Sequence, residues 1–167
     1  MLVYHPTFDI NHGMFRMLRL LDVNPEHRMK WDMFRILDLY YLFPNLLTNA
    51  QLPRAMTKQK RLFGKQDSKY TRVPAPRVFI QHMIGLHESI ARSLIGKGFL
   101  DTKAFEEKLL QRTGLPLPIE LRDAFDGSLD DRGLVYLLAV ELASIPLSGP
   151  GGLKERTGLL EHRYDAV

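Results

Sequence analysis

Apolar residues recur at helical spacing along most of this 167-residue chain. Two N-terminal segments are apolar over most of the helix circumference, and their polar residues fall on one narrow strip, which is typical of buried helices. Helices are predicted over residues 11–21, 25–43, 78–95, 102–112, 119–125 and 129–145, with a short one over 46–50. The pattern therefore predicts a mainly α protein, a compact bundle of about six helices.

Cap signals mark the ends of several of these helices. Asp9 precedes the first helix as a candidate N-cap, and Asn24 followed by Pro25 is predicted to begin the second. Ser128, with Asp131 three residues later, resembles a capping box before the last helix. These residues would accept hydrogen bonds from the backbone N–H groups that a helix start leaves without partners.

The chain ends and one internal segment depart from the helical pattern. Residues 1–4 are predicted to form a short extended arm, because Pro6 restricts the residue before it to extended geometry. Residues 53–77 have little apolar periodicity and are predicted to form a long basic loop or insertion. We therefore predict a single helical domain over residues 1–152 that contains this basic connector, followed by a flexible tail over 153–167.

The C-terminal half consists of successive short helices between residues 78 and 145. Such a series leaves room for a helix-turn-helix or winged-helix-like arrangement, in which one helix enters the major groove of DNA. A stand-alone helix-turn-helix DNA-binding protein is therefore one interpretation of the sequence.

Charge changes sign along the chain. The net charge is +4, but residues 1–100 hold fifteen Lys and Arg against seven Asp and Glu, whereas residues 101–167 hold eight against twelve. Phe63 and Tyr70 lie among the bases of the connector and could stack on nucleobases. The cluster could collect nucleic-acid phosphates or meet an acidic protein surface, and both alternatives stay open. Its members are Arg54, Lys58, Lys60, Arg61, Lys65, Lys69, Arg72 and Arg77.

Candidate catalytic and metal-binding groups are few. The chain has no cysteine, which excludes disulfides, thiolate metal sites and a cysteine nucleophile. It also has no phosphate-binding loop, dinucleotide-binding fingerprint or nucleophile elbow. His5, Asp9 and His12 come nearest to a metal-ligand cluster, but Pro6 opposes a helix through His5. We therefore predict no enzyme activity, no cofactor and no metal.

The sequence shows neither a secretory signal nor a membrane span. The N-terminal residues lack a basic region followed by a long apolar stretch, and no apolar run approaches the roughly 18 residues that span a bilayer. The absence of cysteine also fits a reducing compartment. The sequence therefore predicts a soluble, cytoplasmic protein.

Two blocks in the N-terminal third resemble a known family. One begins with Tyr4-His5-Pro6 and continues through Asp9 to the Phe-Arg-x-Leu-Arg-Leu-Leu of residues 15–21; the other is the Arg-Ile-Leu-Asp-x-Tyr-x-Leu-Phe-Pro of residues 35–44. Together they resemble the small middle component of bacterial ABC-three-component systems, which are related to Lamassu-type anti-phage defence. Within these blocks, the candidates for a partner interface or a structural motif are Tyr4, His5, Pro6, Asp9, Arg16, Arg19, Arg35 and Asp38.

The resemblance implies a non-catalytic adaptor subunit. Its expected partners are an SMC/Rad50-like ABC ATPase and an effector subunit such as a nuclease, with double-stranded DNA as a further candidate. ATP would be bound by the ATPase, since this chain has no phosphate-binding loop. The adaptor would help to couple DNA sensing to release of the effector.

Overall fold

In the computed structural model, residues 8–65 and 75–160 are described, and most of them are helical, so the prediction of a mainly α protein is confirmed. The α-helices are α1 (Ile10–Val23), α2 (Trp31–Leu42), α3 (Thr57–Gly64), α4 (Pro76–His82), α5 (Ile84–Gly96), α6 (Thr102–Glu106), α7 (Ile119–Phe125), α8 (Leu129–Tyr136) and α9 (Leu153–Thr157). Short 3-10 helices cover Pro44–Asn49, Arg54–Met56 and Leu142–Ser144, and a π-helical turn covers Leu137–Glu141. The strands are β1 (Arg28–Lys30) and β2 (Leu109–Gln111).

Helix α2 lies at the centre of the core. All of its residues from 33 to 40 are buried, as its narrow polar strip predicts. Helices α1 and α4 pack against it, as do the helical segments over 44–49 and 137–144. Since polar side chains on a helix buried on all sides must find partners inside the protein, the few charges of α2 are the first place to look for a site.

The predicted caps of α1 and α8 are present. The Asp9 Oδ1 atom accepts a hydrogen bond from the His12 N–H at 3.0 Å, and the Ser128 hydroxyl accepts one from the Asp131 N–H at 3.1 Å. Both hydrogen bonds satisfy a backbone donor in the first turn of the helix.

Asn24 ends a helix, contrary to the prediction that it begins one. Its backbone N–H donates to the Leu20 carbonyl as the C-cap of α1. Its side-chain amide donates to the Ala139 carbonyl at 2.8 Å, and its Oδ1 atom accepts from the Glu26 N–H at 3.0 Å. An Asx side chain can stabilise a turn as readily as a helix start, and here the turn leads into β1 before α2 begins at Trp31.

The helix predicted over residues 102–112 is wrong beyond residue 106. Helix α6 ends there, and Lys108 adopts a left-handed backbone conformation with φ 59°. The chain then forms β2, which pairs antiparallel with β1 and places Met29 opposite Leu110, both buried. A strand of three residues is too short to show an alternating pattern in the sequence, which explains the wrong prediction.

Two other long helices are interrupted without leaving the helical path. The segment predicted over 78–95 divides into α4 and α5 at Met83, whose side chain is buried. The segment predicted over 129–145 continues from α8 through the π-helical turn to Ser144. The π-helical turn includes Ala139, whose carbonyl accepts the hydrogen bond from Asn24.

The connector contains a helix that was not predicted, and the predicted tail begins with the short helix α9. Within residues 53–65 the connector forms a 3-10 turn and α3. The chain after 152 forms α9, in which Leu153 is fully buried, and Arg156 exchanges two hydrogen bonds with the backbone of Gln51. Phe63 anchors the connector, and Leu153, Leu159 and Leu160 anchor the described part of the tail. So few apolar residues give only a weak periodic signal in a charged sequence. Over residues 8–65 and 75–160, no helix is both long and apolar enough to cross a bilayer.

Candidate functional site: buried ion pairs and an exposed basic face

A carboxylate with two cationic or polar partners lies at the centre of the molecule. The Asp38 carboxylate of α2 accepts hydrogen bonds from Arg16 of α1, with Nε–Oδ1 at 2.6 Å and Nη2–Oδ2 at 3.1 Å. The Nε2 atom of His87, on α5, lies 2.9 Å from the same Oδ2. All three residues are buried, so the cluster joins three helices inside the core.

Asp38 is held in its charged form. Burial alone would raise the pKa of Asp38, but the Arg16 guanidinium and the hydrogen bond from His87 outweigh it and hold that pKa well below its usual value. An ionised carboxylate only accepts hydrogen bonds, so the proton that His87 shares with it lies on Nε2. The His87 Nδ1 atom is buried with no hydrogen-bond partner among the described residues.

This buried cluster has no room for a substrate. The rings of Trp31 and Phe34 pack against the His87 imidazole in T-shaped arrangements, with centroids 6.2 and 5.0 Å away. The space beside Asp38 and His87 is too small to admit a water-sized molecule. The Asp38–His87 contact therefore joins α2 to α5 within the core.

Arg19 forms a second group of contacts between helices. Its Nη1 atom donates to the Tyr41 hydroxyl at 2.7 Å and to Asp131 Oδ2 at 2.5 Å. Its Nη2 atom donates to the Phe125 carbonyl at 2.7 Å. One arginine therefore ties α1 to α2, to the end of α7 and to α8.

Arg35 and Asp32 form a third polar group on α2. Arg35 donates to the Ile80 carbonyl of α4 at 3.0 Å and to Asp32 Oδ1 at 3.3 Å. The Lys154 ammonium of α9 lies 3.0 Å from Asp32 Oδ2. The buried Lys154 thereby brings the start of the predicted tail into the core.

The structure separates the residues of the two family blocks by role. Arg16, Arg19, Arg35 and Asp38 are at most 5% exposed, so they link helices and present no surface to a partner. Asp9 caps α1. Tyr4, His5 and Pro6 lie outside the described residues. His87 is not among the predicted site residues, although it lies on the apolar face of the predicted helix, where a polar residue needs a buried partner.

The basic connector provides a different kind of surface. Arg54, Lys58, Arg61 and Lys65 are all exposed, and their spacing of three or four residues places them along one side of α3 and the turn before it. We call these four residues the basic face. On the opposite side of α3, the buried Phe63 ring packs against Gly133 of α8, where an added Cβ would lie 3.1 Å from it.

The other predicted bases have different positions. The Lys60 ammonium donates to the Ala50 carbonyl at 2.6 Å and so holds α3 to the preceding turn. Arg77 is exposed on α4, and Lys69 and Arg72 lie outside the described residues. Because Phe63 is buried, it cannot stack on a nucleobase, and Tyr70 also lies outside the described residues.

No group of three or more His, Asp or Glu side chains among the described residues could hold a metal ion. Asp131 of α8 accepts a hydrogen bond from Arg19. His12 is exposed, and its backbone N–H belongs to the cap of α1.

Comparison with known proteins identifies the family. Searches of curated proteins and of solved structures gave no match. A family model described as "ABC-three component (ABC-3C) system Middle Component 5" matches residues 2–165, nearly the whole chain. The chain therefore belongs to the Middle Component 5 family of ABC-three-component systems.

Proposed function

We propose that this chain is a non-catalytic adaptor that joins an SMC/Rad50-like ABC ATPase to an effector subunit in a Lamassu-like anti-phage defence complex. The observation that carries the proposal is the match of residues 2–165 to a middle-component family. A middle component works with the other components of its system. Its function would then lie in contacts between proteins, and ATP would be bound by the ATPase subunit.

The contacts of the buried polar residues support the adaptor proposal. The buried charges of α1 and α2 are engaged with one another, with helix α5 or with backbone carbonyls, and the cluster around Asp38 is closed to solvent. Such an interior is suited to holding helices in fixed relative positions, as a rigid link between two partners requires.

Two exposed surfaces of different chemistry also support it. The basic face on α3 is strongly positive, whereas α8 exposes Leu129 and Tyr136, which are 78% and 55% exposed and lie seven residues apart on one side of that helix. Large apolar side chains on one exposed helix face favour contact with protein, and a positive surface favours an anionic partner. We assign the α8 surface to protein contact within the complex and extend the proposal to DNA at the basic face.

The alternative of a stand-alone helix-turn-helix protein receives less support. Helices α7 and α8, with a short turn between them, are the segments that such a motif would use. They carry Glu120 and Asp123, and the first turn of α8 carries Asp130 and Asp131. Acidic residues at the start of a helix that should enter a DNA groove would repel the phosphates.

The adaptor proposal is tested by assembly from co-expressed subunits. The ATPase carries the affinity tag, and recovery of the effector is measured with and without this chain. We expect the effector to be recovered only when the chain is present. Equal recovery in its absence, or purification of the chain as a lone monomer from cells that express all three, would show that it does not bridge the two.

A pair of matched double variants tests the α8 surface. Leu129→Ser with Tyr136→Ser should reduce recovery of one partner, because it removes the exposed apolar side chains. The control, Ile84→Ser with Leu115→Ser, also replaces two exposed apolar residues, on other segments, and should leave recovery unchanged. A similar loss in both double variants would argue against a specific role for α8.

A further inference from the structure

We infer that the basic face binds the sugar–phosphate backbone of double-stranded DNA without reading its base sequence. This inference rests on the proposed adaptor function. It names the ligand of the basic face as a phosphodiester backbone. An acidic protein surface is the competing occupant.

Helix α3 and the residues at its two ends place the four charges at the surface. Lys58 and Arg61 are three residues apart on α3, so they project within about 60° of each other and away from Phe63, which anchors the helix to α8. Arg54 lies in the 3-10 turn before α3 and Lys65 directly after it, and both are exposed. The four charges therefore surround the outer side of a helix that is fixed to the core.

The four charges of the basic face have no ion-pair partner within the described part of the chain. Arg16, Arg19 and Arg35 pair with carboxylates, as does Lys154, and Lys60 donates to a carbonyl. None of the four residues of the basic face forms an ion pair with a described residue. The segment from residue 54 to 65 also contains no acidic residue that could offset them.

The side-chain types of the basic face distinguish DNA from an acidic protein surface. The centres of protein–protein interfaces are rich in aromatic residues and arginine and poor in lysine. Two of the four residues of the basic face are lysines and none is aromatic, Phe63 is buried, and Leu62 is the one large apolar side chain that α3 exposes, at 54%. A row of exposed cations is better suited to the closely spaced phosphates of a nucleic acid, whose condensed counterions it would release.

The side chains near the basic face favour a duplex over a single strand. Binding of single strands relies on exposed aromatic rings that stack on bases, and the aromatic residue of α3 faces the core. No side-chain amide of α3 is available to recognise adenine, since the Gln59 Oε1 atom is buried. Arginine and lysine can contact either phosphates or guanine, and we assign these four to phosphates, whose contacts carry no sequence information, so a comparison of two duplex sequences tests the assignment.

The test uses the full chain and a fluorescent duplex of about 20 base pairs of mixed sequence, titrated between about 50 and 200 mM salt. Four phosphate contacts predict a slope of log affinity against log salt of roughly −3 to −4. Replacing all four bases (R54Q/K58Q/R61Q/K65Q) should reduce this slope by about three and weaken binding at least tenfold at the lowest salt. A second duplex of unrelated sequence should bind with the same affinity within about threefold.

The control variant removes the same number of arginines and lysines elsewhere. K97Q/K103Q/R122Q/R132Q replaces four exposed bases outside α3 and should bind the duplex almost as the unmodified chain does. Thermal unfolding of both variants verifies that they are folded, which is expected because all eight side chains are exposed.

Several outcomes would overturn the inference. These are an equal loss of affinity in the two variants, no loss in either, or tighter binding of a single strand of the same length. Unchanged duplex binding by R54Q/K58Q/R61Q/K65Q together with loss of the ATPase from the assembled complex would assign the face to an acidic protein. Assembly without this chain would instead contradict the adaptor proposal and leave a positive duplex result intact, so the two failures are distinguishable.

Discussion

Helices α1 and α3 both carry positive side chains at helical spacing. On α1 these side chains are buried and paired, whereas on the outer side of α3 they are exposed. Arg16 and Arg19 lie three residues apart on α1, as Lys58 and Arg61 do on α3. The first pair is buried and engaged with Asp38, Tyr41 and Asp131, whereas the second is exposed without an ion-pair partner among the described residues. Periodicity sets which residues share a helix side, but not whether that side faces the core.

The surrounding residues explain the difference. The arginines of α1 are bordered by Met17, Leu18, Leu20 and Leu21, all buried, so the strip between them is drawn into the core. Once inside, each charge must be paired, because an unpaired buried charge costs several kcal/mol (about 3–5 when one partner of a pair is removed). Helix α3 has one deeply buried residue, Phe63, so the side that carries Lys58 and Arg61 stays in water.

The largest expected effect is at the centre of the buried network. Asp38→Ala leaves the Arg16 guanidinium buried without its carboxylate and should lower the free energy of unfolding by about 3–5 kcal/mol. The control is Glu88→Ala on α5, an exposed carboxylate, which should change stability by less than about 0.5 kcal/mol. Urea denaturation measures both, and equal effects would show that the interior charges are no more important than surface ones.

Acid should reduce the contribution of Asp38. Its pKa is lowered in the folded state, so the stabilisation is complete above the unfolded pKa of about 4 and is lost as the pH falls below it. The stability difference between the unmodified chain and Asp38→Asn should therefore be constant from about pH 7 to 5 and shrink below about pH 4. A difference that stays constant down to about pH 3 would show that Asp38 has an ordinary pKa in the fold.

The smallest expected effect compares two lysines of α3. Lys60→Met removes the hydrogen bond to the Ala50 carbonyl and should cost about 1 kcal/mol. Lys58→Met, on the basic face, should change the free energy of unfolding by less than about 0.5 kcal/mol. If the exposed lysine proved the more costly of the two, the basic face would have a role in folding that the structure does not explain.

Local signals predicted part of this fold correctly. Asp9 and Ser128 were recognised as helix caps because a cap depends on residues within one turn. The central helix was recognised from its apolar circumference. In contrast, Asn24 was assigned to the wrong end of a helix, because its partner, the Ala139 carbonyl, lies 115 residues away in sequence.

In the candidate sites, too, the features that depend on neighbouring residues could be predicted, and those that depend on distant partners could not. The basic face could be predicted as a cluster, since its residues are neighbours in the chain, but the sequence did not show that Lys60 leaves that cluster to bond Ala50. His87 was missed because its partner, Asp38, lies 49 residues away. The placement of Phe63 towards α8 depends on Gly133, which no pattern within α3 indicates.

The sequence by itself determined the helical class, the centrality of α2, the absence of cysteine chemistry and the concentration of positive charge between residues 54 and 77. These properties depend on composition and on the spacing of residues within a few turns. Only the tertiary structure decided which charges are buried in pairs and which are presented to solvent. The physical reason is that pairing across helices depends on how the helices pack, and an energy of several kcal/mol per buried charge enforces it once the packing is set.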